Sequence, residues 1–333
     1  MIRVAINGFG RIGRCVLRIL EERAGVEVVG VNDLADLGDL AYLLKYDSVH
    51  GWYPRKVDNR DGKLIVDDRT IGFFSERDPA ALPWGDLGVD VVVESTGIFR
   101  DRAKAALHQA AGARKVIISA PSKNADGMFV LGVNSDQFDA DKHSVVSMAS
   151  CTTNCLAPVA KVINDTFGIE DLMFTTVHAY TSSQSLMDQP TRKRRRGRSA
   201  ALSIIPTTTG AAEATEIVIP ALAGRMTGMA MRVPTPDGSV TDMVIRLNRD
   251  ATVEDINDAL RDASEMPDLH GVLRVTDEAL VSRDIIGDPH SSIVDSEMTM
   301  VMRGRVAKLF SWYDNEWGYS SRLADFTEMI GKS

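Results

Sequence analysis

Through the first half of the chain, short runs of Val, Ile and Ala alternate with stretches of helical periodicity. Ile2–Asn7 and Val26–Asn32 are near-continuous apolar runs, and between them Arg11–Glu22 repeats apolar residues at three- and four-residue spacing. Val89–Glu94 and Lys115–Ser119 follow the strand pattern again, around a helical stretch from Arg102 to Ala111. Strands apolar on both faces and separated by helices predict a parallel sheet of βαβ units. The stretch Val57–Phe74 differs and predicts a β-hairpin turning at Asp61-Gly62.

The pattern changes near residue 150. A helix is expected over Cys151–Phe167, closed at Gly168, followed by the strands Leu172–His178, Met226–Val233, Val240–Leu247 and Met298–Trp312. A helix over Val253–Ala263 carries Thr252 as its N-cap and Asp255 in its first turn. These longer strands predict an α+β second domain with a mostly antiparallel sheet. A last helix, about Ser320–Ile330, is expected to pack on the first domain. The fold class is therefore α/β: a first domain over 1–150, completed by the C-terminal segment 314–333, and a second over 151–313.

Composition narrows the class. The 333 residues are 44% hydrophobic and 25% charged, which suits two globular domains of ordinary size. A net charge of -8 and a pI near 5.3 oppose general attraction to nucleic acid or anionic membrane. No run reaches the roughly 18 apolar residues of a membrane span, and the N-terminus reads as a strand rather than a cleaved leader. Cys15, Cys151 and Cys155 form no disulfide framework and fit a reducing cytoplasm. No histidine–cysteine spacing suits zinc, so no metal is expected.

Gly8-Phe9-Gly10-Arg11-Ile12-Gly13 is a GxGxxG turn between a strand and a helix, and Asp33 follows 20 residues beyond Gly13. Gly8 permits the turn, Gly10 lets backbone approach a pyrophosphate, and Gly13 lets helix and strand pack. Helix-start amides suit the phosphates, and a carboxylate at Asp33 suits a ribose 2′-hydroxyl over a 2′-phosphate. A merely tight βαβ turn with Asp33 capping a loop is the plainer alternative. Ser150-Cys151-Thr152-Thr153-Asn154-Cys155 sits where a strand meets a helix. Its position favours a thiolate at Cys151 and buried packing for Cys155. His178 alone reads more readily as a structural histidine than as a base; with Cys151 it suggests an imidazole-activated thiol.

These blocks resemble phosphorylating glyceraldehyde-3-phosphate dehydrogenase over essentially the whole chain. The match includes NGFGRIGR (Asn7–Arg14), Ser95–Gly97, SAPS (Ser119–Ser122), SCTTNC (Ser150–Cys155), TVHAYT (Thr176–Thr181), IIPTTTGAA (Ile204–Ala212), RVPT (Arg232–Thr235) and SWYDNEWGYS (Ser311–Ser320). The resemblance implies a Rossmann NAD-binding domain and a catalytic domain. It implies oxidation of D-glyceraldehyde 3-phosphate to 1,3-bisphosphoglycerate through a Cys151 hemithioacetal and thioacyl enzyme, with His178 as base and orienting partner. Thr181 and Arg232 match the site for the substrate phosphate. Ser150, Thr152, Thr209, Gly210 and Arg196 match the site for attacking inorganic phosphate. Arg11, Ile12, Arg77, Ser95, Thr96 and Ser119 match dinucleotide contacts, while Asn315 and Tyr319 match residues at the nicotinamide. A cytoplasmic homotetramer acting in glycolysis or gluconeogenesis is implied too.

Arg192–Arg198 is more basic than this loop usually is in the family, with Lys193 where an acidic residue commonly stands. An anion-attracting rim is its plainest reading; a nucleic-acid contact or a dock for an acidic protein are the rivals. The net charge and the absence of interleaved aromatics weigh against nucleic acid. Erythrose-4-phosphate dehydrogenase is the nearest enzymatic alternative, and a non-catalytic dinucleotide sensor the alternative from another class. The position of Asp33 generates one expectation: Asp33→Ala lowers the preference for NAD over NADP by roughly tenfold, read as the ratio of kcat/KM values. An unchanged ratio removes Asp33 from cofactor choice.

Overall fold

The computed structural model describes residues 1–333, which form two compact units. The first contains Met1–Phe129, Gln137–Ala149 and Ser320–Ser333. Its nine-stranded sheet has seven strands in parallel, with Ile2–Asn7 between Val26–Asn32 and Val91–Glu94. Val4, Ile6, Val31, Val91, Val92 and Val93 are completely buried, which explains their unbroken apolar runs. Burying each such side chain contributes about 1.5–3 kcal/mol before chain entropy is counted. The glycine-rich turn leaves the end of Ile2–Asn7 and enters the helix Arg11–Leu20. Phe326 of the last helix lies against Phe129 and Phe138, at ring separations of 5.7 and 5.9 Å. Arg23 NH1 fastens that helix through Asp325 at 2.6 Å and Glu328 at 2.7 Å.

Two expectations for this unit change. The hairpin over Val57–Phe74 is a three-stranded meander of Val57–Arg60, Lys63–Val66 and Arg69–Phe74. Asp61 and Gly62 make the first turn with left-handed φ of 52° and 70°, and Asp67, at 52°, begins the second. The helix over 102–111 is two short pieces, Arg102–Ala105 and Leu107–Ala110. A three-residue bond from Gln109 N to Ala106 O, 2.9 Å, tightens the chain between them.

The second unit contains Val130–Asp136 and Ser150–Tyr319. Its eight-stranded sheet is mostly antiparallel, but Ile169–Ala179 runs parallel to Met226–Val233 and sets His178 directly beside Arg232. The expected strand Met298–Trp312 is a hairpin of Met300–Met302 and Val306–Tyr313. Its apolar alternation is interrupted at Arg303 and Gly304, whose left-handed φ values of 51° and 69° reverse the chain. The helix Cys151–Phe167 starts on Ser150, whose Oγ accepts Thr153 N–H at 3.1 Å, and stops at Gly168 with φ 72°. Thr153, Cys155, Leu156, Ala157 and Val159 are buried.

The helix Val253–Ser264 has a reciprocal cap: Thr252 Oγ1 accepts Asp255 N–H at 3.1 Å, and Asp255 Oδ2 accepts Thr252 N–H at 2.9 Å. Thr252→Ala should lower stability by about 1 kcal/mol, checked as the denaturation midpoint of the intact chain.

Candidate active site

In the first unit the glycine-rich turn borders a cavity of about 440 Å³ whose wall includes Gly8, Gly10, Asp33, Arg77, Ser95 and Thr96. Gly8 and Gly13 are there because nothing larger fits. Gly8 has φ 93°, and a Cβ on it would lie 2.6 Å from Thr96 N; one on Gly13 would lie 2.2 Å from Gly8 O. No side chain caps the Arg11–Leu20 helix and no acidic residue occupies its first turn. That leaves its positive end suited to an anion. Asp33 lines the cavity, and its carboxylate accepts Phe9 N–H at 2.7 Å and Ala35 N–H at 3.0 Å.

Ser95 Oγ donates to Gly8 O at 2.7 Å, so this side chain braces the turn. Arg11 pairs with Asp47 at 2.5 Å. Burial alone would raise the Asp47 carboxyl, but the His50 and Val49 amides and Arg11 hold it at about 2. Ser119 lies beside Glu94, donating its N–H to Glu94 O at 3.0 Å, and is not part of the cavity wall. Arg11, Ile12 and Gly13 stand behind the wall as the opening of the helix.

Beneath this cavity runs a buried polar chain that sequence reading missed. Trp84 Nε1 donates to His108 Nδ1 at 3.0 Å, so the other nitrogen of the neutral ring carries the proton and donates to Glu94 Oε2, also at 3.0 Å. Glu94 Oε2 also accepts Asn7 Nδ2 at 2.5 Å, and Asn7 Oδ1 accepts Asn32 Nδ2 at 2.7 Å. Asn32 Oδ1 receives Glu76 N–H at 2.8 Å, while Glu94 Oε1 receives Thr96 N–H at 2.9 Å. Both Glu76 and Thr96 line the cavity. The only sequence signal was the placing of polar residues at the ends of otherwise apolar strands.

In the second unit, Cys151 Sγ and His178 Nε2 lie 3.5 Å apart. Cys151 is the first residue of its helix, and His178 is the penultimate residue of its strand. His178 Nδ1 is 2.7 Å from Ala179 O, while Arg232 NH1 donates to that oxygen at 2.8 Å and comes within 2.7 Å of Nδ1. In the tautomer that gives Nδ1–H to Ala179 O, the lone pair of Nε2 faces the thiol.

The sequence placed a favoured thiolate at this helix start; burial works against it. Burial pushes the Cys151 thiol up to about 11, against the charge of Arg232 and hydrogen bonds with Thr152. Burial and then Arg232 push His178 down to about 3. These shifts describe each charge alone. A proton moved from Sγ to Nε2 creates an ion pair whose attraction at such range is about 5 kcal/mol at an effective dielectric near 20. That attraction offsets a substantial part of the cost that burial places on moving the proton from the thiol to the imidazole.

Arg232 is mostly buried, and its Nε has no hydrogen-bond acceptor in the protein. Arg196 donates to Thr207 Oγ1 and Ser183 Oγ, each at 3.0 Å, and Ser183 reaches Thr181 Oγ1 at 2.8 Å. Neither arginine has a carboxylate partner, and their mutual repulsion contributes to lowering the Arg232 pKa. Uncompensated guanidiniums among hydroxyls beside a thiol form a setting for tetrahedral oxyanions.

Two matched hydroxyls point elsewhere. Ser150 Oγ caps the helix, and Thr152 Oγ1 bonds Tyr313 OH at 3.0 Å. Thr209 Oγ1 accepts Ala211 N–H at 3.2 Å, and Gly210 begins the next helix. Tyr313 was missed despite lying within a quoted motif: its ring stands edge-on to His178, 5.9 Å between centroids. Asn315 Oδ1 is 2.5 Å from the buried Ser239 Oγ, and Tyr319 is buried near the charge of Cys151. In the basic loop, Lys193 bonds Thr208 Oγ1 and Arg198 pairs with Asp188. Cys155 is fully buried against Ser311 O, as its packing role requires.

A family model described as the NAD binding domain of glyceraldehyde 3-phosphate dehydrogenase matches residues 2–102, and the model of its C-terminal domain matches 150–315. A glyceraldehyde-3-phosphate dehydrogenase of Streptomyces coelicolor is 53% identical over 99% of this chain and 98% of its own length. Glyceraldehyde-3-phosphate dehydrogenase 1 of Bacillus subtilis is 54% identical over the same shares, as is the Geobacillus stearothermophilus enzyme.

The position of Arg232 predicts a pH shift. Its positive charge lowers both the Cys151 and the His178 pKa, so Arg232→Ala raises both. The midpoint of Cys151 alkylation by iodoacetamide should move to higher pH by about one unit or more. A midpoint that stays in place or falls excludes the electrostatic role.

Proposed function

The chain belongs to the glyceraldehyde-3-phosphate dehydrogenase family, and from that membership we propose how its own residues carry the NAD-dependent oxidation of glyceraldehyde 3-phosphate. The observation that carries the proposal is the 3.5 Å approach of Cys151 Sγ to His178 Nε2, beside two arginines without carboxylate partners.

NAD fits the first unit on the cavity's own features: a turn in which Gly8 and Gly13 leave no room for a Cβ, an uncapped helix start and a fixed carboxylate. Gly8, Gly10, Arg11, Ile12 and Gly13 would hold the pyrophosphate region, Asp33 the adenosine ribose, and Asn315 and Tyr319 the nicotinamide. When bound, NAD supplies a hydride acceptor.

Cys151 Sγ attacks the aldehyde carbon, and its proton passes to His178 Nε2. Ala179 O holds Nδ1–H throughout, so the imidazolium keeps its orientation and presents Nε2–H to the oxygen that gains negative charge. Arg232 and Thr181 hold the substrate phosphate, the acceptor-free Nε of Arg232 being suited to a phosphate oxygen. After oxidation the acyl group remains on Cys151 as a thioester. Inorganic phosphate, gathered by Arg196, Thr209 and Gly210, attacks the acyl carbon and displaces the Cys151 thiolate. The acyl phosphate forms without hydrolysis, retaining the free energy of oxidation. Ser150 and Thr152 act here through backbone placement, their hydroxyls being engaged elsewhere.

We further propose a cytoplasmic homotetramer working in glycolysis or its reversal. Met173, 64% exposed, Val244 and Met229 surround an outer-sheet cavity of about 330 Å³, an apolar surface suited to burial against another copy.

The test is NADH formation from NAD and glyceraldehyde 3-phosphate, with and without inorganic phosphate, beside erythrose 4-phosphate. Fast phosphate-dependent turnover of the triose is expected. Preference for the tetrose moves the substrate assignment. Cys151→Ser should lose turnover by several orders of magnitude while still binding NAD, whereas Cys155→Ser remains nearly unchanged. Near-normal turnover in Cys151→Ser excludes the thioester route.

A further inference from the structure

Ser239 opens the strand Ser239–Leu247 and is fully buried. Its Oγ lies 3.1 Å from Ala179 N and 2.5 Å from Asn315 Oδ1. The two contacts together determine where the hydroxyl proton goes. A backbone N–H can only donate, so Oγ accepts from Ala179, and its own proton is directed to the Asn315 amide. The 2.5 Å separation suits O–H···O and is too short for N–H···O. Turning the amide over would set Nδ2 against Oγ and leave the serine proton without an acceptor, in a place water does not reach. The Asn315 oxygen is thus engaged inside the protein, leaving Nδ2 as the group available for recognition.

We infer that Ser239 is a positioning residue that locks Asn315 as a hydrogen-bond donor, so that the cofactor carboxamide is received through its carbonyl oxygen and not through its NH₂. The inference rests on the proposed placing of Asn315 at the nicotinamide. Ser239 acts through Asn315. Its bond to Ala179 N–H ties the setting of the amide to the residue whose carbonyl lies against His178 Nδ1. A pyridine cofactor carrying any 3-carbonyl oxygen should satisfy this arrangement, whether or not an amide nitrogen accompanies it.

The experiment measures dissociation constants of the intact chain, without aldehyde, by quenching of tryptophan fluorescence. The probes are NAD and 3-acetylpyridine adenine dinucleotide, which keeps the carbonyl and replaces NH₂ by methyl. The unsubstituted protein should bind both within about threefold, whereas a site accepting from NH₂ would reject the analogue by roughly a hundredfold or more. Ser239→Ala should weaken NAD by roughly fivefold, and Ser239→Thr, which keeps the hydroxyl, should restore most of it. Asn315→Ala should weaken NAD at least as much, with the double variant no weaker than Asn315→Ala alone.

Strong rejection of the analogue by the unsubstituted protein overturns the inference even if the variants fold poorly. Additive losses in the double variant also overturn it, since a purely structural serine would act independently of Asn315. Weakening in Asn315→Ala with none in Ser239→Ala overturns the inference alone. No weakening in Asn315→Ala overturns it together with the placing of Asn315 at the nicotinamide.

Discussion

The arrangement of the second unit depends on the backbone of one residue, Ala179. Its carbonyl lies 2.7 Å from His178 Nδ1 and accepts Arg232 NH1 at 2.8 Å, while its N–H is given to Ser239. Backbone at the end of a paired strand is among the least mobile acceptors a protein can offer. The His178 imidazole, the Arg232 guanidinium and, through Ser239, the Asn315 amide are all referred to that fixed point. The parallel pairing that puts His178 beside Arg232 is what allows one oxygen to serve both.

The same closeness creates an electrostatic tension. Arg232 next to Nδ1 opposes protonation of the ring that must take the thiol proton, yet it also favours the thiolate. A phosphate dianion on the two arginines would relieve the first effect by neutralising their charge. Substrate binding and thiol activation are then parts of one charge balance, and an unphosphorylated aldehyde would leave that balance unmet.

Much of this was legible in the sequence. Apolar runs located the strands of the first sheet, and the glycine spacing located the turn, because both depend on local sterics. Ser150 and Thr252 announced their helix starts for the same reason. The parallel pairing of Ile169–Ala179 with Met226–Val233 was not legible, since strand direction is decided by partners about fifty residues away. The hairpin at Arg303-Gly304 was hidden by apolar alternation on both sides, and Asp33, readable as cofactor ligand or cap, accepts Phe9 N–H while lining the cavity. Ser239 and Tyr313 escaped notice because a hydroxyl in a strand reveals nothing of the group it faces. Ser150 and Thr152 illustrate the converse: residue type suited an anion, and the actual partners were the helix backbone and Tyr313.

The buried chain Trp84–His108–Glu94–Asn7–Asn32 has a bearing on how this sequence can change over time. Each donor in it meets a specific acceptor, and the bonds run from both ends toward Glu94, from the donor-only indole on one side and from Asn32 through Asn7 on the other. Altering one member strands its neighbour's polar group in the interior, whereas altering several together can leave none stranded. These five positions should therefore drift as a block, each viable alternative separated from the present one by intermediates that fold less well. In a lineage that remodels its surface freely, the floor of the dinucleotide cavity becomes a nearly frozen inheritance, preserved by the difficulty of leaving it one step at a time.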